Sequence, residues 1–333
     1  NIQKESKGWC IRMLVPFLKE TISMAITYLF GSTGETIIEK GGNLNLGIPG
    51  IMCLGALGGV IGVNTYIAIF SVEKIMAWLI IIFAIIFAFL FAAFGGLIYA
   101  VLTVSLQANQ NVTGLVLTTF GVGMMKFIGS NINQDNLTTA SRSISKLFKP
   151  EFYEKFGWFG EIFLSHGILV YLAIILAILT TVFLSKTRKG LFLRSIGESP
   201  QTADAQGINV SLYKYLAILI GSGIAGLGGL YYVMDRSGGT TFVEASIEAF
   251  GWMAVALVIF SMWKPGIGII GSLLFGGLYI LPSFLNISNV QIKLFDMLPY
   301  VVTILVLIIT SVINSKNSQP PASLGVNYYR EER

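Results

Sequence analysis

Gly190-Leu-Phe-Leu-Arg-Ser-Ile-Gly-Glu-Ser-Pro-Gln-Thr-Ala-Asp-Ala-Gln-Gly-Ile-Asn209 lies between two apolar segments, near 165–185 and 212–233. Each of those segments is long enough to cross a bilayer, which takes roughly 20 apolar residues. The stretch itself is polar and rich in small residues, and it reads as a loop shaped to receive a soluble partner. A membrane chain that carries such a loop and no catalytic residues of its own reads as the membrane half of a multi-subunit machine.

The bulk composition sets the class. Of 333 residues 54% are hydrophobic and 12% charged, and mean hydropathy is +0.75, whereas soluble domains carry roughly 25% charged residues. The chain belongs in lipid. Its net charge of +5 comes from Lys and Arg in loops and tails, with no dense basic stripe for nucleic acid; anionic headgroups and membrane anchoring account for it. Cys10 and Cys53 are far apart and offer neither metal spacing nor a disulfide framework. The chain begins at Asn1 with no apolar run followed by a small-residue cleavage site, so the start reads as trimmed rather than secretory.

Apolar segments fall near 14–34, 44–63, 75–105, 111–129, 165–185, 212–233, 247–262, 266–283 and 297–313. The expected fold is an all-α polytopic membrane protein of about eight to ten transmembrane helices in one domain over 1–333. The run from Lys74 to Gln107 is too long for one untilted crossing. The 44–63 and 111–129 segments, interrupted by Gly, Asn and Pro, have the pattern of broken or re-entrant helices.

Positive charge orients the spans. Lys186, Arg188, Lys189 and Arg194 flank one segment, and Lys4, Lys7, Arg12 and Lys19 precede the first, so both regions are expected to be cytosolic. Counting from 186–211 puts Lys264-Pro265 and the 314–333 tail inside, with 131–164, 234–246 and 284–296 outside. A cytosolic start then requires one early segment not to cross fully. Arg142, Lys146, Lys149 and Lys155 in the outer 131–164 segment are balanced by Asp135, Glu151, Glu154 and Glu161.

Glycine spacing adds a packing signal. Gly221, Ala225 and Gly229 recur every fourth residue, as do Gly55 with Gly59 and Gly58 with Gly62, which favours close helix contact. Gly221-Ser-Gly-Ile-Ala-Gly226 also matches G-x-G-x-x-G, but a dinucleotide fingerprint needs a preceding strand, and a membrane span supplies none. No cofactor is expected.

Enzymatic signatures are missing. There is no G-x-x-x-x-G-K-[ST], so ATP-driven work requires a separate ATPase. His166 is the one histidine; it reads as a satisfied interfacial residue, and no metal site is expected. Glu35, Glu39, Lys40 and Lys126 are charges within apolar segments. Glu35 and Glu39, one turn apart, fit either a proton relay or a helix end at the interface, while Lys126 can snorkel.

Two polar constellations interrupt the apolar runs: Gly41-Gly-Asn-Leu-Asn-Leu-Gly-Ile-Pro-Gly50 and Asn109-Gln-Asn-Val-Thr-Gly114. Their amides, Asn43, Asn45, Asn109 and Asn111, suit either contact with a polar uncharged solute or a structural breakpoint.

With Glu39–Gly50, Asn109-Gln110 with Gly114, Arg194–Ile208, Ser222–Gly229, Ile259–Gly266 and Pro321–Tyr328 in this order and spacing, the chain resembles a known family over nearly its whole length. It is similar to the permease subunits of bacterial ATP-binding cassette importers of the ribose and galactose class. Within that class it looks most like the second, shorter permease of nucleoside importers that work with a basic-membrane-protein type lipoprotein. Pro49 departs from the pattern, which usually has Glu there.

The resemblance implies a multi-pass subunit of the bacterial cytoplasmic membrane that is not itself an enzyme. Its implied partners are a second permease, a tandem ATPase and a substrate-binding lipoprotein. The ATPase would dock on about 197–208, with Gly197, Glu198, Ala203, Ala205, Gly207 and Ile208 as contact or turn positions. The outer aromatics Phe148, Phe152, Tyr153, Phe156, Trp158 and Phe159 suit a docking surface or an interfacial anchor. Nucleosides are the expected substrate and ribose-like sugars the alternative. An ion-coupled secondary transporter would need more paired intramembrane acids and an internal repeat.

Overall fold

The computed structural model describes residues 2–70, 76–146, 153–285, 294–295, 297–313 and 319–329, with side chains for all of these except 2–12, 153–154 and 310–313. In chain order the helices are α1 (Ile2–Lys40), α2 (Ile48–Phe70), α3 (Ala77–Ala100) and α4 (Gln110–Gly129). Then come α5 (Gln134–Lys146), α6 (Gly157–Phe163), α7 (Ile168–Lys186), α8 (Arg188–Glu198) and α9 (Pro200–Ala205). The last four are α10 (Val210–Tyr231), α11 (Glu244–Phe260), α12 (Pro265–Phe284) and α13 (Leu298–Ile313). Among the described residues there is no strand. Seven helices are long and apolar enough to cross a membrane, and α11 and α13, of 17 and 16 residues, fall on the two remaining apolar segments.

Within the run from Lys74 to Gln107, the described residues Ala77–Ser105 form one continuous helix: α3 continues through a π-helical turn, Val101–Ser105. At 29 residues and 1.5 Å per residue it is ~43 Å long, so it must tilt to fit about 30 Å of hydrocarbon. The 111–129 segment is also unbroken, as α4. The interruption expected near 44–63 is real and precedes α2, where residues 41–47 are not helical.

Close approach through glycine builds the centre, formed by α1, α2, α3 and α10. A Cβ on Gly55 of α2 would fall on the backbone of Gly226 in α10, and one on Gly34 of α1 on the carbonyl of Gly221. Two bare backbones meet there because no side chain keeps them apart, which is how helices associate where the hydrophobic effect does not drive them together. The G-x-G-x-x-G match thus lies wholly inside α10 as a packing surface. Ile82, Leu90, Phe94, Ile178, Leu179 and Ile270 point outward and exposed, as lipid-facing side chains do.

The bundle has two ends. At one lie α8–α9, the start of the 41–47 segment, the α3–α4 corner, the α11–α12 corner and residues 319–329. Gln134 bonded to Thr241 at 2.7 Å and Ser141 to the Met234 carbonyl at 2.6 Å mark the other. Lys264 and the tail therefore share an end with 186–211, and 131–146 shares the opposite end with 234–246. Phe148, Lys149, Glu151 and Phe152, and most of 284–296, lie outside the described residues.

The start of the chain differs from the charge-based expectation. Glu20 pairs with Arg236 at 2.5 Å and Phe17 stacks edge-on against Phe284, both at the opposite end, while the Lys40 carbonyl lies against Gly197 of α8. Helix α1 therefore passes from end to end, and Lys4, Lys7, Arg12 and Lys19 precede its entry on the side away from α8–α9. The start and 186–211 thus lie at opposite ends and cannot both be cytosolic; the polar Glu39-Lys40 end is what reaches α8.

Gly226→Val is expected to lower the thermal midpoint of the purified chain, since overpacking costs about 1–3 kcal/mol, whereas Gly123→Val, where a Cβ meets nothing within 4 Å, is expected to leave it unchanged. Equal shifts in a detergent melting assay would contradict the glycine-packed centre.

Candidate functional site

The 186–211 stretch is two helices rather than a loop, and local chemistry explains both. Thr187 Oγ1 accepts from the Gly190 amide at 3.0 Å and starts α8. Ser199 accepts from the Thr202 amide at 3.4 Å with Pro200 in the first turn, and starts α9. Gly207, at φ +81, ends α9 in the left-handed conformation that suits glycine. Asn209 then accepts from the Leu212 amide at 3.0 Å and starts α10. Three capping residues in this short stretch punctuate three helices, and the small-residue composition that reads as loop is what lets them turn tightly.

Ile196, Ala203 and Val210 form a small apolar cluster beneath α9, with Ile208, Tyr213 and Tyr328 against it. Of the expected contact positions, Gly197 and Ala203 are buried and structural. Glu198, Ala205 and Gly207 are exposed and Ile208 is half-buried. Gln201 and Thr202 on α9 and Gln206 just after it are also exposed; the cap at Ser199, which fixes the helical phase, is the sequence signal that places them.

From this end the chain enters the bundle as non-helical backbone. Gly42, at φ +82, turns it away from α1, and residues 43–47 run beside α4 to the start of α2. The Thr118 hydroxyl, eight residues and so ~12 Å into α4, donates to the Leu46 carbonyl at 3.0 Å. Helix α2 therefore begins well inside the bundle. Non-helical backbone is tolerated at such depth only when its polar groups are satisfied by protein. The Leu44 amide donates to Gln110 Oε1 at 2.8 Å and the Leu44 carbonyl accepts from the Tyr99 hydroxyl at 2.6 Å. The Asn45 amide donates to Glu35 Oε1 at 3.3 Å, and the Gly47 amide to Asn45 Oδ1 at 2.9 Å. Pro49 follows in the first turn of α2, where a missing amide hydrogen costs nothing, and packs against Gly251.

Glu35 and Glu39 are 0% and 2% exposed. Glu35 holds the Asn45 amide, and Glu39 accepts a hydrogen bond from the Trp263 indole. Trp263 and its neighbour Met262 stand at φ +56 and +54, a conformation that side chains resist and that tertiary contacts must hold. The Lys40 ammonium lies 6.0 Å from the centre of the Trp263 ring. Both acids thus anchor backbone or indole groups at the α1 end.

The four candidate amides do not converge. Asn43 and Asn45 are buried beside the 41–47 turn; the side-chain oxygen and nitrogen of Asn43 and the side-chain nitrogen of Asn45 make no hydrogen bond among the described residues. Asn109 caps α4 by accepting from the Val112 amide at 3.1 Å, and Asn111 is exposed beside it. Gln110 links the two groups: besides Leu44 it reaches Asn327 Oδ1 at 3.0 Å. The sequence placed Gln110 in a motif without a role, because its partners lie 66 and 217 residues away. His166 is buried and bonded to the Ile162 carbonyl at 2.9 Å. Among the described residues no three His, Cys, Asp or Glu side chains gather as metal ligands.

A bundle of membrane-crossing helices with a projecting helix pair and a broken intramembrane segment has the form of a transport subunit, and comparison with known proteins agrees. The family described as "Branched-chain amino acid transport system / permease component" matches residues 17–307. The chain belongs to this permease family. It is accordingly a multi-pass component of a transport system in the cytoplasmic membrane, and not itself an enzyme. This permease is 33% identical over 309 residues to the nucleoside ABC transporter permease protein NupC of Lactococcus lactis, covering 91% of this chain and 93% of the relative. It is 30% identical over 340 residues to the guanosine ABC transporter permease protein NupQ of Bacillus subtilis, covering 97% and 99%. It is also 33% identical over 261 residues to a putative glucose ABC transporter permease protein, TsgC13, of Haloferax volcanii, covering 78% and 74%. No solved structure matches it.

Gln110→Leu leaves the buried Leu44 amide without an acceptor, which costs about 1–3 kcal/mol. A lowered thermal midpoint is expected in lipid nanodiscs, with Asn111→Leu, at the exposed neighbour, close to wild type. An unchanged Gln110→Leu midpoint would contradict this assignment.

Proposed function

We propose that this permease is the transmembrane subunit of an ATP-driven importer of nucleosides. The exposed face of α9 would receive a separate tandem ATPase. The observation that carries the reading is the α8–α9 pair, seated directly under the Lys40 carbonyl through Gly197. Movement imposed on α9 by a closing ATPase pair then has a short path to α1 and the broken segment. Under this reading the face bearing α8–α9 is cytosolic, and Glu198, Gln201, Thr202, Ala205, Gln206, Gly207 and Ile208 contact the ATPase.

Nucleosides are favoured by the names and full-length coverage of two relatives. The family alone does not decide the substrate, since it is described for branched-chain amino acids while these relatives are named for nucleosides and guanosine. A second permease would complete a heterodimer around the solute path, and a substrate-binding lipoprotein would deliver solute to the opposite face. There Trp158, Phe159 and Phe163 stand exposed on α6. Asn43, Asn45, Asn109 and Asn111 remain path candidates only through movement, because two are enclosed and one is engaged as a cap.

The test is uptake of labelled guanosine into proteoliposomes holding this chain with its ATPase, second permease and lipoprotein. Uptake should require ATP, resist excess ribose or glucose, and be lost when 197–208 is scrambled. Uptake blocked by sugar would move the substrate to sugars, and gradient-driven uptake without ATP would overturn the importer reading.

A further inference from the structure

The tail makes more contacts than an irregular chain end needs. Pro321-Ala-Ser-Leu-Gly-Val-Asn-Tyr328 has no helix or strand, yet it is bonded to three separate elements at the α8–α9 end. The first is the α8–α9 pair. The Ser323 amide donates to the Gly197 carbonyl at 2.9 Å and its hydroxyl to the same oxygen at 2.6 Å, and the Tyr328 hydroxyl donates to Asp204 of α9 at 2.8 Å.

The second element is the root of the broken segment, where the Gly325 amide donates to the Gly42 carbonyl at 3.2 Å. The third is the α3–α4 corner. Asn327 Nδ2 donates to the Gln107 carbonyl at 2.6 Å, while Asn327 Oδ1 accepts from Gln110. Gln107 stands at φ +55, a conformation a non-glycine residue keeps only when its surroundings hold it. Gln110 in turn accepts from the Leu44 amide. A path of hydrogen bonds, completed by the backbone between Tyr328 and Asn327, thus runs from Asp204 on α9 to Gln110 and the intramembrane Leu44.

We infer that residues 321–328 are a positioning strap for transport: Ser323, Asn327 and Tyr328 join α8–α9 to the 42–47 segment, so that displacement of α9 reaches the root of α2. This rests on reading α8–α9 as the ATPase-docking pair. Without the strap, α9 would still meet the ATPase but would pivot on the Ser199 turn, and hydrolysis would proceed without moving solute.

The experiment uses the whole reconstituted transporter and reads three quantities: ATPase retained on the membrane subunits, ATP hydrolysed, and guanosine imported. Tyr328→Phe removes only the hydroxyl that reaches Asp204, and Asn327→Ala removes the bridge to Gln107 and Gln110. The double variant is expected to keep its ATPase and its hydrolysis, while guanosine moved per ATP falls roughly five- to tenfold, the lower range of coupling between distant sites. Tyr328→Phe alone, whose change is a single hydroxyl, is expected to fall in the same direction by less.

An unchanged ratio in the double variant would overturn the strap. Loss of bound ATPase would overturn it too, making the tail part of the docking surface. Scrambling 197–208 separates the underlying reading: if the ATPase stays bound and coupled after that change, docking on α9 is wrong, whereas its loss alongside a normal ratio in the tail variants sinks the strap alone.

Discussion

An unpaired backbone amide is costly in hydrocarbon, and this chain leaves the helical path after Lys40 to run as open backbone inside the bundle. Every other feature of the α8–α9 end answers that constraint. Glu35, Tyr99, Gln110 and Thr118, drawn from α1, α3 and α4, each supply a partner to residues 44–46. The segment is held by three helices at once, so any shift of α1, α3 or α4 must carry it along or break those bonds.

The constraint also gives the buried acids a common purpose. A carboxyl inside a membrane bundle is expensive unless it is engaged. Glu35 holds an amide of the open segment, and Glu39 holds the indole of Trp263, which fixes the strained α11–α12 corner. Glu39 and Lys40 also bring α1 to its end against Gly197 of α8. The root of α2, the α11–α12 corner and the projecting helices are therefore joined by short polar contacts, while the centre of the bundle, where α2 and α10 cross, is joined by glycine packing.

Much of this was legible in the residues. Each of the nine apolar runs falls on a helix among the described residues, because a span needs length and apolarity and little else. The Gly-Asn-Pro interruption before α2 announced open backbone, and Gly55, Gly221 and Gly226 announced close crossings. What stayed hidden depended on distance along the chain. Gln110 meets Leu44 and Asn327, and Ser323 meets Gly197, over separations that no periodicity records. Thr187, Ser199 and Asn209 could have been read as caps, which would have turned the expected loop into α8 and α9. The direction of α1, which the charges left open, depends on Glu39-Lys40 reaching α8, and the capping role of Asn109 depends on where α4 begins.

Hydrogen–deuterium exchange of the permease in nanodiscs tests the central claim most directly, since it reports whether the 42–47 backbone is held as tightly as the helices around it. Amides of Leu44, Asn45 and Gly47 should exchange as slowly as those in the middle of α2 and far more slowly than those of the 237–240 turn. Exchange at turn-like rates would mean that the open segment is not clamped by Glu35, Tyr99, Gln110 and Thr118, and the account built on it would fail.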